Sequence, residues 1–248
     1  MRPESGPAAP ADPVPAGMSH LPLHRIVLMS YDWFSDLSEQ VRADVLARGQ
    51  RRKFAKGERI YSRGDRADCF FSVLEGQVRL SGVSAVGRET VLDFFGPGTW
   101  FGEVGFFDDL PRTHDIQAHE AAAVLGLTRA DVEELTAAHP EFGRAVLRLQ
   151  ALRIRLLLMA LEQYSAQSLE QRLASRLLML AGPFGTDMPD GKRIDLRLSQ
   201  KLLSQLIGST RQRVNQILLN WEASSVITHR YGTIVIRDYG KLEKVAIM

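Results

Sequence analysis

Cysteine is the scarcest residue type in the sequence, since Cys69 is the only one among 248 residues. A single thiol cannot form a disulfide within the chain, and it excludes cysteine-rich zinc sites and iron–sulfur clusters. Proteins without disulfides are typical of reducing compartments, so we expect a cytoplasmic protein. We also predict no metal site.

Long apolar segments are missing as well. No run of eighteen apolar residues occurs, which argues against a transmembrane helix and a membrane partner. The first 20 residues are rich in proline and alanine and lack the apolar core of a signal peptide, so we expect them to be disordered. No kinase motif is present, and no residue set supplies a nucleophile or a metal for catalysis. We therefore expect a protein that is not an enzyme.

Charge is distributed unevenly although the formal net charge is only +2. From Glu170 to the end there are twelve Lys/Arg and seven Asp/Glu, whereas the preceding residues carry nineteen and twenty-two. A basic carboxyl-terminal third on an acidic body favours a polyanionic partner for that third. Chance scatter of charge is the alternative.

The first half of the sequence has the pattern of antiparallel β-structure. Over residues 52–104, glycines interrupt short apolar runs at intervals of up to twelve residues, which predicts strands of a sandwich or barrel. Within this region, residues 70–80 alternate and predict a β-hairpin that bends at Glu75 and Gly76. A helix over residues 33–48, capped by Asp36 or Ser38, is predicted to precede the strands.

The pattern changes to a helical period from Asp131 onward. Over residues 141–164, apolar side chains recur at alternating steps of four and three residues, as in a coiled-coil seam: Ala145, Leu149, Leu152, Leu156 and Met159. We expect this seam to pair two copies of the chain in a homodimer. Packing on the chain's own β-structure is the alternative, and Val146, Leu157 and Leu158 could serve that contact.

The most specific motif spans residues 198–227. Ser199 is predicted to cap a short helix, Gly208 to form a tight turn, and Ser209 or Thr210 to cap a second helix, which together make a helix-turn-helix. The second helix begins with polar and cationic side chains suited to base edges: Ser209, Thr210, Arg211, Gln212 and Arg213. A helical hairpin with a polar face is the alternative, but it does not account for that first turn. Upstream we predict a helix over residues 168–182, capped by Ser168, and a polar loop at 183–193; residues 231–238 would form the wing.

Three sets of residues, in one order, resemble the Crp/Fnr family of bacterial transcription factors (the cyclic AMP receptor protein/fumarate–nitrate reduction regulator family) from about residue 30 to residue 245. One is the FGE…PRT pattern of residues 101–113, and another is GSTRQRVNQIL at residues 208–218. The remaining set is a spaced pattern in the β-region: Phe54, Gly57, Ile60, Gly64, Asp65, Phe71, Leu74, Gly76, Val78 and Leu80.

This resemblance implies an α+β fold. An eight-stranded β jelly-roll sensor domain, like those that bind cyclic nucleotides, is expected over residues 21–138. A dimerisation helix over 139–167 and a winged helix-turn-helix domain over 168–248 would follow. The resemblance also implies a bacterial cytoplasmic regulator that is controlled by a small-molecule effector.

Residues 101–113, called the cassette below, resemble the phosphate-binding cassette of the family's nucleotide-binding members. By matched position, Glu103 would accept a hydrogen bond from a ribose 2′-hydroxyl and Arg112 would pair with the cyclic phosphate. Thr113 would donate to the same phosphate, and backbone N–H groups near Gly102 would complete the cradle. Because a guanidinium pairs with phosphate and a carboxylate repels it, the two groups must sit apart.

Two departures from the family pattern bear on the effector. His114 stands where nucleotide binders usually have a small residue, and Leu157 and Leu158 align with hydroxyl residues that face the purine in cyclic AMP members. A cyclic nucleotide, cAMP or cGMP, held with altered base contacts is our leading expectation. The alternatives are a cyclic dinucleotide, haem or another metabolite, or a vestigial cassette in which Glu103 and Arg112 pair with each other. A regulatory subunit of a signalling complex is less favoured.

The DNA contacts that the resemblance implies are more specific. Arg211, Gln212 and Gln216 fall where the family's base-reading residues lie, with Arg211 predicted to contact a guanine. Ser209, Thr210 and Arg213 are expected to touch phosphates. The expected partners are a pseudo-palindromic double-stranded operator and a second copy of the chain, with RNA polymerase as a further candidate.

Overall fold

The structure, a computed structural model, describes residues 33–84, 87 and 89–247. The segment 1–20, for which we predict disorder, lies outside the described residues.

The amino-terminal half is built on two antiparallel sheets. Helix α1 (Glu39–Arg48) precedes eight strands: β1 (Gln50–Phe54), β2 (Arg59–Tyr61), β3 (Cys69–Glu75), β4 (Val78–Val83), β5 (Glu89–Phe95), β6 (Trp100–Phe101), β7 (Asp115–Ala118) and β8 (Ala122–Thr128). The strand orders are β1-β8-β3-β6 and β2-β7-β4-β5. Apolar side chains of both sheets, among them Phe71, Val78, Phe101 and Ile116, form one buried cluster. The predicted β-roll is therefore confirmed.

The hairpin predicted over residues 70–80 is wrong. Strand β3 pairs with β6 and β8, whereas β4 pairs with β5 and β7, so the two strands belong to different sheets. Gly76 connects them with a φ of +74°, and a Cβ there would lie 2.0 Å from the carbonyl oxygen of Ala121. Alternation shows which side chains face the core, but it does not identify the partner strand.

Two helices connect the β-roll to the carboxyl-terminal domain. Helix α2 (Arg129–Ala138) begins with a capping box formed by Thr128 and Asp131, and α3 (Pro140–Ala166) follows almost at once. The start of α3 packs on the β-roll, because Phe142, Ala145 and Val146 share a buried cluster with aromatic side chains of the roll. The described part of the chain contains no helix long and apolar enough to span a bilayer.

The register predicted for the seam of α3 is wrong at its first two positions. Ala145 and Leu149 are buried against the β-roll rather than exposed, and Leu152, Leu156 and Met159 are half-buried. A different set, spaced by the same steps of four and three, is exposed, and we call it the α3 stripe: Leu147, Ala151, Ile154, Leu158 and Leu161. Of the positions expected to contact the roll, Val146 does so, whereas Leu157 and Leu158 are exposed. A leucine-rich helix carries two such stripes, and periodicity does not say which one faces inward.

The carboxyl-terminal domain has the order of a winged helix-turn-helix. Its elements are α4 (Leu169–Ala181), β9 (Gly185–Met188), β10 (Gly191–Ile194), α5 (Gln200–Leu206), α6 (Arg211–Ala223), β11 (Ile227–Arg230), β12 (Thr233–Ile236) and α7 (Tyr239–Ile247). The strands form a sheet with the order β11-β12-β10-β9. The loop predicted at 183–193 is wrong, because β9 and β10 form a hairpin there. Strand β9 is mostly exposed and has no alternating apolar pattern that would have indicated it. The predicted helix caps Ser38, Ser168 and Ser199 are confirmed.

The two halves of the chain share packing. Val91 and Phe94 of β5 lie in the same buried cluster as the core of the carboxyl-terminal domain. Arg176 of α4 pairs with Asp93 at 2.9 Å, and the side chain of Gln205 on α5 donates to Glu89 at 2.9 Å. The helix-turn-helix is thus docked against the β4–β5 hairpin of the β-roll.

Candidate ligand pocket and DNA-reading helix

Arg112 is the centre of the cassette and is only 2% exposed. Its guanidinium donates from Nη1 to the carbonyl oxygen of Gly102 and from Nη2 to that of Cys69, the latter at 2.6 Å. The Tyr61 ring lies against it, with 4.2 Å between the guanidinium carbon and the ring centroid. Gly102 has a φ of +88°, and a Cβ there would come within 2.9 Å of Nη1, so glycine is required for the contact. The predicted pair Gly102 and Arg112 is therefore in direct contact.

The electrostatics around Arg112 favour an anion. Burial lowers its pKa, and burial also raises the pKa of the adjacent Tyr61 phenol, so both groups have lost water. The nearest acidic partner recorded for the guanidinium is Asp68, at 4.0 Å. The Nε–H of Arg112 is buried and has no hydrogen-bond partner among the described residues. A buried cation with a distant counter-charge and a free donor fits a bound phosphate better than it fits a completed core.

Glu103 does not pair with Arg112. Its carboxylate forms an ion pair with Arg153 of α3, and the Glu103 side chain is 12% exposed. Arg153 also donates to the carbonyl oxygen of Trp100. The alternative in which Glu103 and Arg112 pair with each other is therefore wrong, and the acid instead joins the cassette to the long helix.

Thr113 is an exposed residue of the cassette, unlike its buried neighbour Arg112. It is exposed, and its hydroxyl is 2.9 Å from Nδ1 of His114. His114 is half-buried, and a Cβ on Gly82 would lie 3.0 Å from its ring. Burial lowers the pKa of His114, which favours the neutral ring. The imidazole thus engages the hydroxyl that the family pattern assigns to phosphate.

Sequence reasoning missed two members of this site, Tyr61 and Arg153. Tyr61 reaches Arg112 from β2, about fifty residues earlier in the chain, and no motif signals that contact. Arg153 had a weak signal in the sequence, because it is a cationic residue within a leucine-rich helix. Beside them, a mainly apolar groove of about 700 Å³ runs from Glu103 and Phe107 to Val146 and Leu147 on α3.

The helix predicted to read DNA is α6. Thr210 is its cap and accepts from the backbone N–H of Arg213 at 3.3 Å, so the choice between Ser209 and Thr210 is settled by the structure. Four predicted contact residues are exposed in its first two turns: Arg211, Gln212, Arg213 and Gln216. Thr210 is also exposed, whereas Ser209 is half-buried. Val214, Leu218 and Trp221 hold the opposite face in the core.

The wing lies beside this helix. The turn between β11 and β12 carries Tyr231, which is fully exposed and has a φ of +51°. The backbone N–H of His229 donates to Glu222 of α6 at 2.7 Å, and that of Leu198 donates to the carbonyl oxygen of Gly232 at 2.7 Å. The wing is thereby fixed to α6 and to the segment that immediately precedes α5.

Comparison with known proteins gives two family matches. A cyclic nucleotide-binding domain matches residues 51–139, and a Crp-like helix-turn-helix domain matches residues 171–245. A global nitrogen regulator of Synechocystis sp. is 31% identical over 75% of this chain and 83% of its own length. A CRP-like cAMP-activated global transcriptional regulator of Mycobacterium tuberculosis is 28% identical over 78% of this chain and 86% of its own.

Solved structures share the fold. The c-di-GMP responsive regulator CLP of Xanthomonas campestris has a TM-score of 0.68 at 22% identity and covers 81% of this chain and 100% of its own. A mutant of CooA from Carboxydothermus hydrogenoformans has a TM-score of 0.67 at 21% identity, with 89% and 94% covered. With both domain matches and the nitrogen regulator in agreement, the chain belongs to the Crp/Fnr family of transcription factors.

Proposed function

We propose that the protein is a homodimeric, sequence-specific DNA-binding regulator whose DNA affinity is controlled by an effector bound at the cassette. The observation that carries the proposal is the exposed first turn of α6, where Arg211, Gln212 and Arg213 project from a helix whose other face is buried. A helix start of this kind, with cationic and amide side chains, suits base edges in the major groove. Arg211, Gln212 and Gln216 would read bases, and Ser209, Thr210 and Arg213 would hold phosphates.

The α3 stripe supports the homodimer. Its four large side chains are 59–70% exposed, and a row of this length and spacing in water favours pairing with a like helix. A two-fold dimer would place two copies of α6 about 34 Å apart, one turn of the double helix. A pseudo-palindromic operator is therefore the expected target.

The cassette supports an anionic effector with hydroxyl groups. Arg112 offers a buried cation whose Nε–H has no partner among the described residues, and Glu103 offers a carboxylate that would accept from a sugar hydroxyl. A cyclic nucleotide satisfies both groups, and the Mycobacterium tuberculosis relative is named as cAMP-activated. The Xanthomonas structure is titled c-di-GMP responsive, so a cyclic dinucleotide is the second candidate.

The Glu103–Arg153 ion pair suggests how the two functions are coupled. It joins the cassette to α3, the helix that carries the dimer stripe. A ligand that takes Glu103 as a partner would weaken this attachment and favour another position of α3. The docked DNA-binding domains would follow, which is a shift between populations of two arrangements.

The test uses the full chain. Binding-site selection from random duplex DNA, followed by titration of the selected site, should yield a two-fold symmetric sequence with half-sites about one helical turn apart. Calorimetry with cAMP, cGMP, cyclic di-GMP and haem then identifies the effector, which should change the DNA affinity by at least about fivefold. Failure to enrich any sequence, with and without these ligands, would refute the function.

A further inference from the structure

Gln200 is the first residue of α5, and its side chain bridges this helix to α6. Its side-chain Nε2 donates to Oδ1 of Asn215 at 2.5 Å, and its Oε1 accepts from Nε of Arg211 at 3.2 Å. Arg211 and Asn215 are four residues apart, so they lie on one face of α6. One amide on α5 therefore holds two successive turns of α6.

This contact restricts how Arg211 can bind. A guanidinium has five N–H donors, and it can approach guanine with its two terminal nitrogens or with Nε and one terminal nitrogen. Because Nε is held by Gln200, the first mode is favoured, in which both terminal nitrogens contact the base. The partners of Gln200 also limit its rotation, since its donor and its acceptor are both engaged.

We propose that Gln200 is a positioning residue for base recognition, which sets the orientation of Arg211 so that its terminal nitrogens meet O6 and N7 of a guanine. The inference rests on the proposed function, because it requires that Arg211 reads a base. Gln200 is half-buried, whereas its neighbour Lys201 is exposed, so their roles are separable. Gln200 acts through Arg211, and Lys201 is expected to act only through charge.

The experiment measures the affinity of the full chain for its selected site and for the same site with the contacted guanine replaced by each other base. Gln200→Ala should reduce the discrimination against the wrong bases by about three- to tenfold, a part of what a bidentate contact provides. The affinity for non-specific DNA and the salt slope should stay unchanged. Lys201→Ala, the matched control, should weaken all sequences alike and lower the salt slope by up to about one.

A conservative variant separates positioning from simple packing. Gln200→Glu keeps an acceptor for Nε of Arg211, and Asn215 can turn its amide to donate to the carboxylate. Discrimination should return to within about twofold of the original, while overall affinity falls because a new negative charge faces the duplex. If Gln200→Ala does not fold, judged by its thermal unfolding, Asn215→Ala removes the other anchor of the amide and should lower discrimination in the same direction.

The double variant Gln200→Ala/Arg211→Ala distinguishes the ways to fail. If Gln200 acts through Arg211, the double variant discriminates no worse than Arg211→Ala alone. Additive losses, or full discrimination by Gln200→Ala where Arg211→Ala has lost it, would overturn the positioning role. Unchanged discrimination by Arg211→Ala itself would instead refute the base-reading assignment of the proposed function.

Discussion

Arg112 in the sensor domain and Arg211 in the DNA-binding domain are both expected to bind phosphate or a nucleotide base, yet the protein holds them in opposite ways. Arg112 is buried, and both of its terminal nitrogens donate to backbone carbonyls. Arg211 is exposed, and the contact recorded for it involves only Nε. Arg112 thus contributes to the fold in the absence of a ligand. Arg211 keeps its terminal nitrogens for contacts with DNA. Replacement of Arg112 is therefore expected to lower both ligand binding and the stability of the fold. Replacement of Arg211 is expected to lower DNA binding alone.

The largest effect should come from removing the buried cation. Arg112→Ala leaves the carbonyl oxygens of Gly102 and Cys69 without their donor and opens a gap beside Tyr61. We expect the free energy of unfolding to fall by about 3 kcal/mol, measured by denaturant titration. Arg211→Ala should change it by less than about 0.5 kcal/mol. Equal stabilities of the two variants would show that Arg112 is no more a part of the fold than Arg211.

The next prediction concerns the α3 stripe, which we expect to form the dimer interface. Leu157 and Leu158 are neighbours and are both 61% exposed, but only Leu158 lies on the stripe. Leu158→Glu should raise the dimer dissociation constant by about 100-fold, because a charge would be buried where the two α3 stripes pair. Leu157→Glu should have little effect, since flanking positions of a coiled coil accept charges. Sedimentation equilibrium measures both, and the same loss in both variants would show that the stripe is misassigned.

The reading helix should lose function without losing stability. Arg211→Ala is expected to cost about 1–3 kcal/mol of binding and to relax the preference for one guanine. Arg213→Ala should weaken all sequences and reduce the slope of log affinity against log salt by about one. Titrations at several salt concentrations measure both quantities. A base-specific loss from Arg213→Ala would mean that the two roles are exchanged.

The smallest effect concerns pH at the contact between the two halves. Burial lowers the pKa of His119, whose ring packs edge-on against Phe94 with 5.0 Å between the ring centroids. Arg79 and Lys56 lower this pKa further, whereas Glu120 and a hydrogen bond with the Arg197 backbone raise it. Because the unfolded chain binds the proton more readily, stability should fall as pH drops below about 6.5, by less than about 1.4 kcal/mol per pH unit. His119→Gln should flatten this dependence in thermal unfolding. If His119→Gln keeps the full pH dependence, another group is responsible for it. His114 is then the next candidate, because burial lowers its pKa as well.

Local signals in the sequence were sufficient for much of this picture. The caps Ser38, Ser168 and Ser199 act within three residues, and the cassette and the start of α6 carry compact motifs. The failures concern contacts that only the folded chain creates. Tyr61 under Arg112, Arg153 on Glu103 and Gln200 on Arg211 all join separate elements. The choice between two apolar stripes on α3 has the same cause, because it depends on what the helix packs against.

The burial of Val91 and Phe94 among side chains of the carboxyl-terminal domain has a practical consequence for anyone who divides this protein. Cutting the chain after α3 would expose an apolar surface on each fragment. The isolated carboxyl-terminal domain should therefore tend to aggregate in solution. Fusing the carboxyl-terminal domain to another protein's sensor domain would require a β4–β5 hairpin in that domain with apolar side chains of similar size at the positions of Val91 and Phe94. Exchange of the carboxyl-terminal domain is thus constrained by two side chains that lie outside both the cassette and α6.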